Sequence, residues 1–194
     1  MRLSIVIMAS GYGKRYGSNK LLEEFRGRPL FSYALETAAR SDADSITVVT
    51  RFREIEQEIH SKYPKDMFRV VKNYHPERGI SESLRLGLEA EEESDGCCFM
   101  VCDQPLLKTE TVDLLFNNFR KNQNHIYLCG DGLRRGNPVL FPKEFFPELL
   151  QLRGDSGGKQ IIKKYPDRVS EVLVRDKTEL YDIDSVEDKQ KLLS

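Results

Sequence analysis

The residues best suited to chemistry lie between Gly11 and Lys20, where three glycines alternate with three basic side chains. Glycine adopts positive φ readily and lets backbone N–H groups approach a ligand closely, and such groups favour negative charge. The glycines are Gly11, Gly13 and Gly17, and the basic residues are Lys14, Arg15 and Lys20. The segment therefore predicts a loop that binds an anion such as a phosphate.

Two common nucleotide-binding loops do not fit this spacing. A Walker A loop has a second glycine, followed by Lys and Ser/Thr, five residues after its first glycine. Tyr16 and Ser18 occupy the positions five residues after Gly11 and Gly13, so neither glycine can begin such a loop. A dinucleotide fingerprint needs glycine at Tyr16 and an acidic residue after the next strand, and the run 46–50 lacks one. The remaining pattern, GxGxRxGxxK, also fits a surface turn with solvated charges. Its position directly after a first strand favours ligand binding.

Apolar runs alternate with helical stripes and predict the elements that position this loop. The run Ile5 to Met8 ends at the loop, as a buried parallel strand does. Further strands are predicted at 46–50, 68–71 and 96–102, with apolar residues at helical spacing between them. This alternation predicts parallel βαβ units in a doubly wound sheet.

Local signals mark where the helices begin. Pro29 is predicted to be the first residue of one helix, because its fixed φ suits that position. Ser81 is predicted to be the N-cap of another, and Ser81 and Ser83 both fit a simple capping role. A third helix is predicted from about Thr109 to Lys121.

The segment from about 130 to 160 is predicted to form a small excursion from the main sheet. Within it a strand is predicted to begin at Asn137-Pro138, since proline is tolerated at a strand start. The loop 152–159 is rich in glycine and charge, which is typical of a segment that contacts a ligand or of a mobile turn.

Two aspartates are the candidate ligands of a metal ion. Asp103 follows the apolar run 96–102 and is predicted to lie in the crevice where α/β sheets bind ligands, although it also fits a cap or turn. Asp184 lies near the C terminus, where it or Ser185 is predicted to cap a last helix. If Asp103 and Asp184 hold Mg²⁺ beside the basic loop, the site suits a triphosphate attacked by a phosphate nucleophile, which needs no general base.

Composition limits the class of protein. The 194 residues, 39% of them hydrophobic, predict one domain spanning 1–194. Lys and Arg number 30 against 31 Asp and Glu, so nothing global indicates a nucleic-acid or membrane partner. The N terminus lacks a signal-peptide pattern, and a cytosolic protein is expected. The four cysteines lack CxxC spacing and are predicted to be buried and reduced, and the three histidines are isolated in sequence.

Several ordered motifs together resemble one family, the nucleotidyltransferases related to the molybdopterin guanylyl- and cytidylyltransferases. MASGYGKRYGSNKLL resembles the family's loop LAAGxSxRMGxxK, and NYHPERGISESLRLGL resembles its Gly-x-Ser-x-Ser-Leu segment. CDQPLL resembles its metal-binding Asp-x-Pro, and LYDIDSVED resembles its C-terminal Asp-Ile-Asp-Thr-Pro-Glu-Asp. GNPVLFP and LRGDSGGKQII resemble the cytidylyltransferase branch.

The resemblance implies a fold and a reaction. The fold would be a Rossmann-like three-layer α/β/α sandwich with a mostly parallel sheet, of the nucleotide-diphospho-sugar transferase type. The reaction would transfer a nucleotidyl group from CTP to molybdopterin or its molybdenum-loaded form, releasing pyrophosphate with Mg²⁺ as cofactor. A molybdenum hydroxylase would be the partner that receives the product.

The resemblance also implies roles for individual residues. The implied nucleotide contacts are Ala9, Ser10, Gly11, Gly13, Lys14, Arg15, Lys20, Gly79, Ser83 and Asp103. Among them, Arg15, Lys20 and Asp103 are the implied catalytic residues. The implied Mg²⁺ ligands are Asp103 and Asp184, and the implied acceptor contacts are Asn137, Asp155 and Gly157.

Departures from the family pattern leave alternatives open. Ser10 replaces the usual alanine and adds a hydroxyl near the expected base or ribose, which leaves the nucleotide preference open; Tyr16 replaces methionine, and Val186 replaces proline. The alternatives are a guanylyltransferase for the same cofactor, a transferase acting on a sugar or alditol phosphate, or a non-catalytic carrier of the cofactor. A carrier would not need the charged set of Arg15, Lys20, Asp103 and Asp184.

Overall fold

A seven-stranded sheet forms the centre of the protein in a computed structural model that describes residues 1–11 and 19–193. The strands are β1 (Leu3–Ala9), β2 (Glu24–Phe25), β3 (Arg28–Pro29), β4 (Ser45–Thr50), β5 (Arg69–Lys72), β6 (Gly96–Val101), β7 (Ile126–Gly130), β8 (Arg135–Pro142) and β9 (Val169–Leu173). The helices are α1 (Leu30–Ala39), α2 (Arg53–Lys62), α3 (Ile80–Ala90), α4 (Thr109–Lys121), α5 (Phe146–Leu149), α6 (Lys159–Lys164) and α7 (Val186–Lys191).

The strand order explains where a ligand can bind. The order is β5-β4-β1-β6-β8-β7-β9, and β8 runs antiparallel to both of its neighbours. The pairings of β1 with β4 and β6, of β4 with β5, and of β7 with β9 are parallel. The carboxyl ends of β1, β4 and β6 therefore meet at one edge, which is where open α/β sheets bind ligands.

Helices cover both faces of the sheet. Apolar residues of α1, α2 and α4 pack with one face in a large core that includes Ile5, Ile7 and Phe116. Residues of α3, α5 and α6 pack against the other face, where Val6 and Phe141 lie. This confirms the Rossmann-like three-layer sandwich with a mostly parallel sheet.

The segment 130–160 is not an excursion, so this prediction is wrong. β8 lies inside the main sheet between β6 and β7, and its residues from Pro138 onward are buried there. The prediction that the strand begins at Asn137 is also wrong, since β8 begins at Arg135. In the pairing with β7 the register jumps from Val139 to Gly136. Pro138 therefore lies at a β-bulge, where the sheet tolerates a residue without an N–H group.

Two predicted helix starts are also corrected. Pro29 belongs to the short strand β3 and is the N-cap residue of α1, a position where the helix does not require the N–H group that proline lacks. Ser81 lies inside α3, whose N-cap is Gly79 at φ +84°. A glycine is required at that φ, since a side chain would strain the backbone. The prediction for α4, Thr109–Lys121, is confirmed at both ends.

The cysteines behave as predicted. Cys97, Cys98, Cys102 and Cys129 are all buried and free. Burial raises the pKa of the Cys97 thiol to about 12, so this thiol stays protonated at neutral pH. Among the residues that the structure describes, none of the helices has the length and apolar character needed to cross a membrane.

Candidate functional site

A charged cluster forms where β1 and β6 end side by side. Met8 of β1 pairs with Val101 of β6, so the loop that follows β1 starts next to Asp103. Lys20 is the first residue of a 3₁₀ turn that follows Asn19. Its Nζ donates to Asp103 Oδ2 and to Asp184 Oδ1, each at 2.8 Å. The structure therefore brings three predicted site residues from distant parts of the sequence into direct contact.

The C-terminal segment is held against the end of β6 by its own contacts. The Ile183 N–H donates to the Asp103 carbonyl oxygen at 2.8 Å, and the Ile183 side chain is buried with Phe25 and Leu30. Ser185 Oγ accepts the Asp188 N–H and so caps α7, as predicted for Asp184 or Ser185. These contacts fix Asp184 at the mouth of the crevice.

The charges in the cluster influence one another. Burial opposes the charged form of Lys20, but the carboxylates of Asp103 and Asp184 outweigh it and raise the pKa of the ammonium group. Burial and the repulsion of Asp103 and Asp184 raise the pKa of Asp182 to about 6. Because the Asp182 residue is exposed to solvent, this repulsion is screened and has only a small effect on stability.

The cluster contains two carboxylates whose chemistry can be compared with what a divalent ion requires. Asp103 Oδ1 is buried and, within the described part of the chain, has no hydrogen-bond partner, so it is free to bind a cation. The described residues contain no group of three or more His, Cys, Asp or Glu residues that could hold a metal ion. Mg²⁺ is usually held by one or two carboxylates together with substrate phosphates. Asp103 and Asp184 therefore fit this ion.

A second, uncharged cluster lies around the start of α3. Asn73, which follows β5 and is 2% exposed, donates from Nδ2 to Ser83 Oγ at 3.2 Å. Asn73 Oδ1 accepts the His75 N–H at 2.9 Å, and the Asn73 N–H donates to the Thr50 carbonyl oxygen at 2.9 Å. These bonds fix the orientation of the amide, so the oxygen of Ser83 acts as an acceptor and its proton can be donated to a ligand.

The glycine-rich loop 152–158 packs directly on this cluster. The Ser81 N–H donates to the Gly154 carbonyl oxygen at 3.1 Å. A Cβ placed on Gly79 would lie 2.4 Å from the Gly154 carbonyl carbon and 2.6 Å from Asp155 Oδ1. A Cβ on Gly157 would lie 3.8 Å from the side chain of Ile80. Asp155 and Gly157, which were predicted to contact the acceptor, therefore adjoin Gly79, which was predicted to contact the nucleotide.

The remaining predicted residues lie along the same edge of the sheet. Asn137 follows Gly136, and a Cβ on Gly136 would lie 3.9 Å from Gln104 Nε2, beside Asp103. The carbonyl of Ala9 accepts from Thr50 Oγ1, and Ser10 Oγ donates to the Val49 carbonyl oxygen at 3.0 Å. The Ser10 hydroxyl is therefore engaged with β4 and can only accept from a ligand.

The predicted phosphate loop begins at Gly11. Among the described residues, none has a heavy atom within 4 Å of a Cβ built on Gly11. The predictions for Gly13, Lys14 and Arg15 lie outside the described residues.

A family profile described as "MobA-like NTP transferase domain" matches residues 5–169. The chain belongs to this family. The matched range contains most of β1 and all of the strands from β2 to β8. Residues 1–4 and 170–194, which include most of β9 and Asp184, lie beyond the match.

Several proteins are similar to this MobA-like chain along most of its length. The purine catabolism protein PucB of Bacillus subtilis is 28% identical over 94% of this chain and 92% of its own length. The nicotine blue oxidoreductase of Paenarthrobacter nicotinovorans is 27% identical over 97% of this chain and 95% of its own length. A probable molybdenum cofactor guanylyltransferase of Thermococcus gammatolerans is 34% identical over 60% of this chain and 56% of its own length.

A solved structure supports the same fold. The complex of Rv0371c from Mycobacterium tuberculosis with manganese superposes with a TM-score of 0.76 and 22% identity, covering 100% of this chain and 98% of that chain. Because only 22% of the residues are identical, this similarity shows a shared fold and nothing about activity.

Two polar residues beside the candidate site were not predicted from the sequence. Asn73 resembles an ordinary turn residue, and its buried bond to Ser83 becomes visible only in three dimensions. Asp182 precedes Ile183, whose N–H donates to the Asp103 carbonyl oxygen, and the acidic motif Asp-Ile-Asp is the sequence signal that could have identified it.

Proposed function

We propose that this MobA-like protein transfers a nucleotidyl group, preferably from CTP, to molybdopterin or the molybdenum cofactor and releases pyrophosphate. The observation that carries the proposal is the contact of Lys20 with both Asp103 and Asp184 at the carboxyl edge of the sheet. This cluster offers a cation for phosphate oxygens and carboxylates for a metal ion. An anionic nucleophile can approach a triphosphate only when such charges neutralise it.

In the proposed reaction, Lys20 binds the triphosphate near its α-phosphate, with help from Arg15 and the backbone of Gly11. Asp103 and Asp184 would hold Mg²⁺, which neutralises charge on the triphosphate and on the leaving pyrophosphate. The orphaned Asp103 Oδ1 supports this assignment. The manganese complex of Rv0371c supports a divalent ion in this fold.

The base and the acceptor are assigned to the part of the crevice around Gly79 and Ser83. Ser83 faces the nucleobase and donates its proton to an acceptor atom on the base edge, with Gly79 close by. Asn137, Asp155 and Gly157 lie towards the acceptor. The name of the Thermococcus relative supports molybdenum cofactor as the acceptor class and GTP as the competing donor. A molybdenum hydroxylase would then receive the product.

Pyrophosphate release tests this proposal. Purified protein is mixed with Mg²⁺ and molybdopterin, and CTP, GTP, ATP and UTP are offered in separate reactions. We expect release with CTP to exceed release with the other three, and Asp103→Asn to abolish it. Release with GTP alone would favour the guanylyltransferase. Binding of the pterin with no release from any nucleotide would favour the carrier and contradict the proposal.

A further inference from the structure

Lys20 occupies the position that a metal ion needs. Its Nζ lies 2.8 Å from Asp103 Oδ2 and 2.8 Å from Asp184 Oδ1, so the ammonium group fills the space between these two oxygens that a metal ion bridging them would need. The Lys20 side chain is 13% exposed, against 22% for Asp103 and 56% for Asp184. The ammonium group is thus the most buried of the three charges.

The charges explain why a cation resides there. Two carboxylates held close together repel each other, and one ammonium group offsets half of their charge. The cluster of Lys20, Asp103 and Asp184 keeps one net negative charge. A divalent ion would neutralise both carboxylates, but it must first compete with Lys20 for the same oxygens.

We propose that Lys20 is the resident cation of this site and that the metal ion and the triphosphate bind as a coupled pair. When a triphosphate enters, its phosphate oxygens attract the Lys20 ammonium group away from the carboxylates. The oxygens of Asp103 and Asp184 that Lys20 had bound then become available to the metal. The protein therefore binds divalent ions weakly when no nucleotide is present. This inference rests on the proposed function only in taking the anion to be a triphosphate.

The local structure allows this exchange. The backbone at Lys20 belongs to a 3₁₀ turn that is anchored by the buried Leu21, so the backbone can remain in place. The lysine side chain has a flexible four-carbon stem and can reorient its charge between two sites. Asp103 Oδ1, which has no hydrogen-bond partner among the described residues, offers the metal a first contact.

Binding of Mn²⁺ to the nucleotide-free protein, followed by electron paramagnetic resonance, tests the inference without any turnover. We expect Lys20→Met to bind Mn²⁺ about tenfold more tightly than the wild type, because the competing charge is gone. Lys20→Arg keeps the charge and should bind Mn²⁺ no more tightly than the wild type. Lys62→Met is the matched control, since Lys62 pairs with Glu58 on α2 and its loss should change nothing.

Inorganic triphosphate provides the second half of the test. Adding it should increase the Mn²⁺ affinity of the wild type by a larger factor than that of Lys20→Met, since the variant has no ammonium group to remove. Thermal unfolding verifies that each variant is folded, and Lys20→Gln replaces the methionine variant if that one is not.

The outcomes separate this inference from the proposed function. If the neutral variants bind Mn²⁺ no more tightly than the wild type, Lys20 does not compete with the metal and the inference is overturned, whatever the transfer assay gives. If they bind more tightly while no nucleotide supports pyrophosphate release, the inference stands and the proposed function fails.

Discussion

The two ends of the crevice are built in different ways. The charged end joins Lys20 to Asp103 and Asp184, which lie 83 and 164 residues away in sequence, through side chains that attract one another. The uncharged end joins Asn73 to Ser83, ten residues apart, and adds the backbone of Gly154. The first end depends on charge, whereas the second depends on the close packing of Gly79 against the backbone of Gly154. Substitutions that remove charge and substitutions that add volume should therefore have separable effects.

Loss of charge at Asp103 should have the largest effect. We expect Asp103→Asn to lower kcat by about 100-fold or more, because electrostatic stabilisation of a reacting phosphate contributes at least this much. The protein should remain folded, since the amide keeps the shape of the carboxylate. Steady-state pyrophosphate release measures the loss. Asp66→Asn, at an exposed position before β5, is the control and should retain full activity.

Added volume at Gly79 should mainly reduce stability. Gly79→Ala places a Cβ 2.4 Å from the Gly154 backbone at φ +84°. Gly132→Ala has the same φ of +84°, but its Cβ meets no heavy atom of the described residues within 4 Å. Both share the backbone strain, so we expect Gly79→Ala to lower the free energy of unfolding by about 1–3 kcal/mol more than Gly132→Ala. Urea denaturation compares them, and equal losses would show that the loop 152–158 does not restrict this position.

Removal of the Asn73 amide should have a smaller effect. We expect Asn73→Ala to lower the free energy of unfolding by about 1–2 kcal/mol, because the His75 N–H loses its buried acceptor. The KM for the nucleotide should rise while kcat changes little, since Ser83 is no longer held in place. A double-mutant cycle with Ser83→Ala should give a nonzero coupling energy in both measurements. Strictly additive effects would contradict the positioning role.

Asp182 should give the smallest effect, and one that depends on pH. Its folded-state pKa of about 6 lies above the usual value, so the protonated form favours the folded state. The stability that this provides is complete below about pH 4 and is lost as the pH rises through about 6. We therefore expect the Tm of Asp182→Asn minus that of the wild type to increase between pH 4 and pH 7. The groups facing Asp182 are Asp103, Asp184, Gln104 and Lys20.

Sequence patterns predicted those features of the fold and the site that depend on nearby residues in the chain. The bounds of α4 follow from apolar spacing, and the position of Asp103 follows from the end of a buried strand. The bulge at Pro138 could not be predicted, because it depends on the register between β7 and β8. The bond from Asn73 to Ser83 could not be predicted either, since it requires β5 and α3 to be placed side by side. The spacing of Asp103 and Asp184 in the sequence does not show that they lie together. The family resemblance is what implied that both bind the same metal ion.

A crystal structure of the protein with CTP and Mn²⁺ would test the central claim most directly. The account predicts an anomalous manganese peak between Asp103 and Asp184, with Lys20 Nζ moved onto the triphosphate and the cytosine base beside Ser83. A manganese ion bound elsewhere, with Lys20 still joined to both carboxylates and the triphosphate outside the crevice, would contradict it.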